Sequence, residues 1–193
     1  MTDEEVSPAR IKQIATGGWA ASILATAAIH SICTHVEAGA DTPESVSSRA
    51  GVSLRGAGTL LDGLVGLGLM TVSGGRYRNA PDAAEFLVEG KPGYMGGFAK
   101  VLFGQSPGRM KLPEAVRTGQ AEAPEAEKPE NPLWEELVPA IAALSVPVVL
   151  AAAETLKLAA AGPISILDVG GGSGVYSAIW LGMNPQARAT QLD

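Results

Sequence analysis

The sequence is poor in the residue types that secreted, redox-active or nucleic-acid-binding proteins depend on. Cys33 is the only cysteine among 193 residues, so an internal disulfide framework is excluded and a reducing, cytoplasmic setting is expected. Charge is sparse as well. Charged residues make up 18% of the chain and the net charge is −6, which gives no bulk attraction to nucleic acid or to an anionic membrane. The N-terminal stretch MTDEEVSPAR is acidic and has no apolar core of the kind a signal peptide needs. The longest apolar stretches, WAASILATAAIHSI and VPVVLAAAETLKLAAAG, are interrupted by polar groups and read as too short to span a bilayer. In HSICTHVE, His30, Cys33 and Glu37 have metal-ligand spacing on one helix face. They are read as a packed helix with a small buried cysteine, and no metal is expected.

Hydrophobic residues make up 46% of the chain, as in a soluble globular protein of one large or two small domains. Residues 8–38 form an Ala-rich stretch in which Ile14, Trp19, Ile23, Leu24, Ala27 and Ile32 recur at helical spacing. So much apolar surface predicts burial all round, against another chain or domain. In residues 42–90, Thr42 and Pro43 open a helix in TPESVSSRAGV. A turn at Ser53 starts another, with Leu54, Leu60, Leu61, Leu64, Val65 and Leu67 on its inner side. MTVSGGRYRNA then alternates around Gly74 and Gly75, a hairpin signal. Helix, turn, helix and two-stranded wing make a winged-helix module.

The aromatic-bearing segment YMGGFAKVLFG and the acidic loop AEAPEAEKPENP follow, the loop read as a solvated connection. Residues 133–161 are helical again. Pro147 is expected to kink or split that helix, and Gly162 and Pro163 to stop it before the strand ISILDV.

The strand leads into ILDVGGGSGVYSAIW. A strand, a glycine turn and a helix bring backbone amides and the positive end of a helix dipole to one point. Gly170, Gly172 and Gly174 stand in a G-x-G-x-G pattern, but Val175 departs from the dinucleotide fingerprint and no Walker A lysine follows. Asp168, two residues ahead of the first glycine, repels pyrophosphate and suits a cationic amino group. A ligand with an α-amino group, a ribose and no phosphate fits, namely S-adenosylmethionine. ARATQLD reads as the next strand, ending in Asp193, an acid placed for ribose hydroxyls. The alternative for Asp168 is a cap on the following helix.

ILDVGGGSG followed by QLD resembles motifs I and II of class I methyltransferases. With the winged-helix module, RYRNAPDAAEFL, LPEAVRTG and NPLWEELVPAIAALS, nearly the whole chain is similar to small-molecule O-methyltransferases of bacterial secondary metabolism, related to the plant caffeate and flavonoid enzymes. The resemblance implies a mainly α, winged-helix dimerisation domain over 1–92 and a helical region over 93–162 that lines the acceptor pocket. The first β-α-β of a Rossmann-like domain over 163–193 would follow, incomplete after its second strand. It assigns Asp168, Gly170, Gly171, Gly172, Gly174 and Asp193 to the cofactor. Trp134, Val138, Ala142, Phe98 and Phe103 would face a small aromatic or polyketide-like acceptor. It further implies S-adenosylhomocysteine as product and a homodimer through the N-terminal helices. No catalytic residue is expected in this chain, because the adenine-reading acid and the general-base histidine would belong to a C-terminal half beyond Asp193. Chemistry would then need both halves.

A winged-helix transcription regulator is the competing class, and a non-catalytic pseudo-methyltransferase a third. Over 41–90, Arg49, Arg55, Arg76 and Arg78 stand against Asp41, Glu44, Asp62, Asp82, Glu85 and Glu89. That balance is a poor footprint for phosphates.

Overall fold

The computed structural model describes residues 7–120 and 133–193, so the loop AEAPEAEKPENP lies outside the described residues. The chain divides into two compact units, Met1–Arg109 and Met110–Asp193.

In the first unit the Ala-rich stretch is two helices rather than one, α1 (Ala9–Ile29) and α2 (Ile32–Glu37). Ser31 between them adopts left-handed backbone at φ +50°, and its hydroxyl donates to Glu89 Oε1 at 2.8 Å. The break turns Ile32, Cys33 and Val36 into the core. On α1, by contrast, Ile11, Ile14 and Trp19 are 73%, 72% and 74% exposed within this chain.

Helix α3 (Pro43–Ala50) starts as the sequence predicts. The Ser45 N–H donates to Thr42 Oγ1 and the Thr42 N–H to Ser45 Oγ, a reciprocal cap that satisfies two orphan donors. Helix α4 (Leu54–Gly66) is capped by Ser53, which accepts from the Gly56 N–H at 3.0 Å. Leu61 and Leu64 are fully buried, and Leu60 and Val65 pack against the core. Leu54 and Leu67, expected inside, are exposed, because one sits in the first turn and the other just past the helix end. Strands β1 (Met70–Ser73) and β2 (Arg76–Asn79) pair antiparallel with Ser73 opposite Arg76. Gly74 and Gly75 both have positive φ, as a two-residue hairpin turn demands. The Tyr77 hydroxyl donates to Asp62 Oδ1 at 2.6 Å and ties this wing to α4. Three further helices complete the unit, α5 (Pro81–Phe86), α6 (Gly96–Gly104) and α7 (Ser106–Arg109), with α6 packed along α1.

The second unit begins with α8 (Leu112–Thr118) and the long α9 (Leu133–Thr155). Neither Pro139 nor Pro147 splits α9. Each proline removes a single donor, and the intervening turns carry the helix across both gaps. Helix does not extend to residue 161. Lys157 takes left-handed backbone after Thr155, and a short 3₁₀ turn, Leu158–Ala160, precedes Gly162. The membrane-length reading also needs correction, since Leu137–Thr155 is by length and composition long and apolar enough to cross a bilayer. Here its Val149 and Ala153 are buried, and α9 packs on α10 (Val175–Met183).

Strands β3 (Ser165–Val169) and β4 (Arg188–Leu192) pair in parallel across α10, with Asp168 opposite Gln191 and Val169 opposite Leu192. Along β3, Ile166 and Asp168 are half-buried while Leu167 and Val169 on the other face are exposed. Asn184 holds the turn between α10 and β4. Its buried amide donates to the Leu158 and Gly162 carbonyls, both at 2.9 Å, and its oxygen accepts from the Gln186 N–H at 3.0 Å. Substituting Asn184→Ala strands those carbonyls. Urea denaturation should show a stability loss of about 2–3 kcal/mol. A loss under about 0.5 kcal/mol would contradict this role for the amide.

Candidate functional site

The turn from β3 into α10 is built on backbone that only glycine adopts without strain. Gly170, Gly172 and Gly174 have φ of +69°, +51° and +70°. The Gly170 N–H donates to the Leu192 carbonyl at 2.8 Å, which seats the turn on the end of β4. Gly171 is not in left-handed backbone, yet a Cβ there would lie 2.6 Å from Gln191 Cγ. At Gly174 a Cβ would lie 2.6 Å from Gln191 Oε1. The Gln191 side chain therefore fills the space that two glycines leave, and its amide donates to the Gly172 carbonyl at 3.0 Å.

Two carboxylates flank this turn at the C-terminal ends of adjacent parallel strands. Asp168 Oδ2 accepts from the Ser177 hydroxyl at 2.7 Å. It does not cap the backbone of α10, whose N-cap is Gly174 with no side-chain hydrogen bond. Asp193 Oδ2 accepts from the Gly172 N–H. Each carboxylate thus commits one oxygen to the fold. The ends of parallel strands are where ligands of open α/β sheets bind.

Helix α9 reaches the same point. Val138 Cγ1 lies 3.6 Å from the Cβ position of Gly172. Eleven residues on, three turns along the same helix face, the Val149 carbonyl accepts from Trp180 Nε1 at 3.0 Å. Trp180 in turn meets Tyr176 edge-to-face, with centroids 5.5 Å apart. So Asp168, Gly170, Gly171, Gly172, Gly174, Asp193 and Val138 come together. Trp134 and Ala142 share α9 with Val138, and Trp134 is partly exposed.

Phe98 and Phe103 lie on α6, in the first unit. Their helix is held through Glu89, whose carboxylate pairs with Lys100 at 3.5 Å and accepts from the Tyr94 hydroxyl at 3.3 Å. The Ser31 hydroxyl, with Lys100 and Tyr94 adding to it, holds Glu89 below the usual carboxylate range. Burial and the Glu89 charge push Tyr94 up to about 12.

The metal-spaced grouping is placed differently from a ligand set. Cys33 is buried, which raises its thiol to about 11, and Glu37 accepts from the Asn79 amide at 3.0 Å. Among the described residues no group of three or more His, Cys, Asp and Glu side chains is arranged to hold a metal ion.

Ser177, Gln191 and Trp180 escaped the sequence reading. Ser177 is the one aliphatic hydroxyl in the apolar VYSAIWLGM helix, and that isolation was its signal. Gln191 gave none, because a polar residue near a strand end is ordinary.

No protein-family model matches the chain. It is 32% identical over 202 aligned positions to a 3-hydroxy-5-methyl-1-naphthoate 3-O-methyltransferase of Streptomyces sahachiroi, covering 96% of this chain and 55% of that protein. A stretch of 81 residues is also 46% identical to the tetracenomycin polyketide synthesis 8-O-methyl transferase of Streptomyces glaucescens, covering 39% of this chain and 23% of that protein. The chain spans about half the length of the curated relative it matches along its whole course. The O-methyltransferase of neocarzinostatin biosynthesis, solved with S-adenosylmethionine and 2-hydroxy-5-methyl naphthoic acid, is 26% identical with a TM-score of 0.59. That match covers 90% of this chain and 56% of the other. Human N-acetylserotonin methyltransferase in complex with S-adenosylmethionine shares the fold, with a TM-score of 0.82 at 21% identity over 99% of this chain and 60% of that one. The chain thus shares the methyltransferase fold over its matched length, with a largely helical part and a small parallel sheet.

The packing of Gln191 against the turn is directly testable. Gly171→Ala should cost about 1–3 kcal/mol by overpacking. Adding Gln191→Ala to the same chain should recover most of that loss in a double-mutant cycle read by urea denaturation. Strictly additive losses would show that Gln191 does not fill the turn.

Proposed function

We propose that the full-length protein transfers a methyl group from S-adenosylmethionine to a hydroxyl of an aromatic or polyketide-like small molecule in secondary metabolism. One observation carries the proposal: two carboxylates at adjacent parallel strand ends flank a glycine turn, in a chain related along its length to a naphthoate O-methyltransferase. The donor set fits the cofactor's polar groups. Asp168 suits the α-amino group, the backbone of Gly170, Gly171, Gly172 and Gly174 allows close approach of the methionine part, and Asp193 suits the ribose hydroxyls. S-adenosylmethionine, when bound, supplies an electrophilic methyl carbon on a sulfonium.

The contribution of this chain is binding and orientation. Val138 at the turn, with Trp134 and Ala142 on its helix, supplies apolar surface for the acceptor, while Phe98 and Phe103 on α6 of the first unit are candidates by resemblance alone. Such surface excludes water and restricts the acceptor hydroxyl to an in-line approach. A base must take the hydroxyl proton. His30 caps the end of α1 and His35 lies in the last turn of α2, both in the first unit, and we assign the base to residues beyond Asp193. By this reading residues 1–92 serve dimerisation, 93–162 the acceptor and 163–193 the cofactor, in a cytoplasmic enzyme.

DNA binding has weaker support. Arg49 donates to the Ala38 carbonyl at 2.8 Å and Arg76 pairs with Asp41 at 2.6 Å, so two of the module's four arginines already serve the fold. A pseudo-methyltransferase would keep the turn without the chemistry.

Titration calorimetry of the full-length protein with S-adenosylhomocysteine tests the cofactor site. Gly172→Val forces a β-branched residue into left-handed backbone, and affinity should fall at least about tenfold while the fold persists. Undiminished affinity would sink the assignment.

Dimerisation has its own test. The exposed row of Ile11, Ile14 and Trp19 on α1 supports a homodimer burying on the order of 2,000 Å² or more. Light scattering should report a dimer, and a monomer at micromolar concentration would contradict it.

A further inference from the structure

We propose that Ser177 is a positioning residue of the donor site, acting through Asp168 on the cofactor's α-amino group. The inference rests on the cofactor reading above and adds to it a residue that the glycine pattern does not contain. Ser177 is buried, 7% exposed, on the first turn of an otherwise apolar helix. A serine inside a helix ordinarily returns its hydroxyl to the carbonyl four residues back. Here the hydroxyl instead reaches nine residues back to β3 and donates to Asp168 Oδ2 at 2.7 Å. A buried hydroxyl needs a partner, and this partner is the half-buried carboxylate at the mouth of the turn.

The consequence is rotational. An aspartate carboxylate turns freely about its last torsion, and one anchored oxygen fixes the plane in which the other lies. The anchor is itself rigid. Helix α10 is tied to α9 by the Trp180 indole on the Val149 carbonyl and braced by the edge-to-face contact of Tyr176 with Trp180. Gln191, opposite Asp168 in the strand register, packs against the turn from the neighbouring strand. Asp168 is therefore held from α10 while the turn is held from β4, and the free Oδ1 is presented in one orientation. Preorganisation of that kind lowers the cost of binding an ammonium group.

The test separates this role from simple packing by using two ligands in titration calorimetry of the full-length protein. S-adenosylhomocysteine carries the amino-acid part, and 5′-methylthioadenosine lacks it. Ser177→Ala should weaken S-adenosylhomocysteine about tenfold, the scale of one hydrogen bond to a charged group. It should leave methylthioadenosine within about twofold of the unchanged protein. Ser177→Thr, which keeps the hydroxyl, should restore most of the lost affinity. Ser177→Cys, which keeps the volume but donates weakly, should resemble the alanine variant. Unchanged affinity in Ser177→Ala, or equal loss for both ligands, would overturn the proposal while the cofactor reading stands. No binding of S-adenosylhomocysteine by the unsubstituted protein would overturn the cofactor reading, and this inference with it.

Discussion

Three residues in left-handed backbone within five positions, Gly170, Gly172 and Gly174, are the constraint on which the C-terminal unit depends. Side chains there would be strained whatever space surrounded them. Freed of them, the chain turns sharply enough for the start of α10 to stand over the ends of β3 and β4. Gly172 approaches both Val138 on α9 and the Asp193 carboxylate. Apart from Ser173 the turn has no side chains of its own, and its neighbours hold it. Gln191 packs beneath it, Leu192 accepts from its first amide and Asp193 from a later one. Backbone held in this way is rigid without being crowded, which suits the amino-acid end of the proposed cofactor.

The first unit solves a different problem. Its core of Ile32, Leu61, Leu64 and Met70 is small and tightly closed. Local polar caps decide where its helices start, with Thr42 and Ser45 at α3 and Ser53 at α4. The break at Ser31 lets one Ala-rich stretch serve two ends. Its second part enters the core, while the first keeps an apolar row outside it. Glu89 gathers Ser31, Tyr94 and Lys100, which couples the position of that break to the loop leading into α6.

Features set by local chemistry were legible in the sequence. The Thr42–Pro43 helix start, the Gly74–Gly75 hairpin and the strand–turn–helix around Asp168 all follow from residues adjacent in the chain. Features set by distant partners were not. Ser31 is an ordinary serine until Glu89, 58 residues away, accepts its hydroxyl. Pro147 signals a helix break, yet α9 runs through it, since one missing donor is bridged by the turns on either side. Leu54 fits the apolar spacing of α4 but stands exposed in its first turn, a matter of where the core ends rather than of period. At the site the glycines and both acids were visible as a motif. Ser177 and Gln191, which orient and fill it, became visible only when β3, α10 and β4 were set side by side.

The central claim is that the turn after Asp168 is a donor site with its amino end at Asp168 and its ribose end at Asp193. A crystal structure of the full-length protein with S-adenosylhomocysteine measures this directly. The account predicts the ligand's ammonium group within hydrogen-bond distance of Asp168 Oδ1 and its ribose hydroxyls on Asp193. Ligand bound elsewhere, or a reversed orientation across the turn, would contradict it.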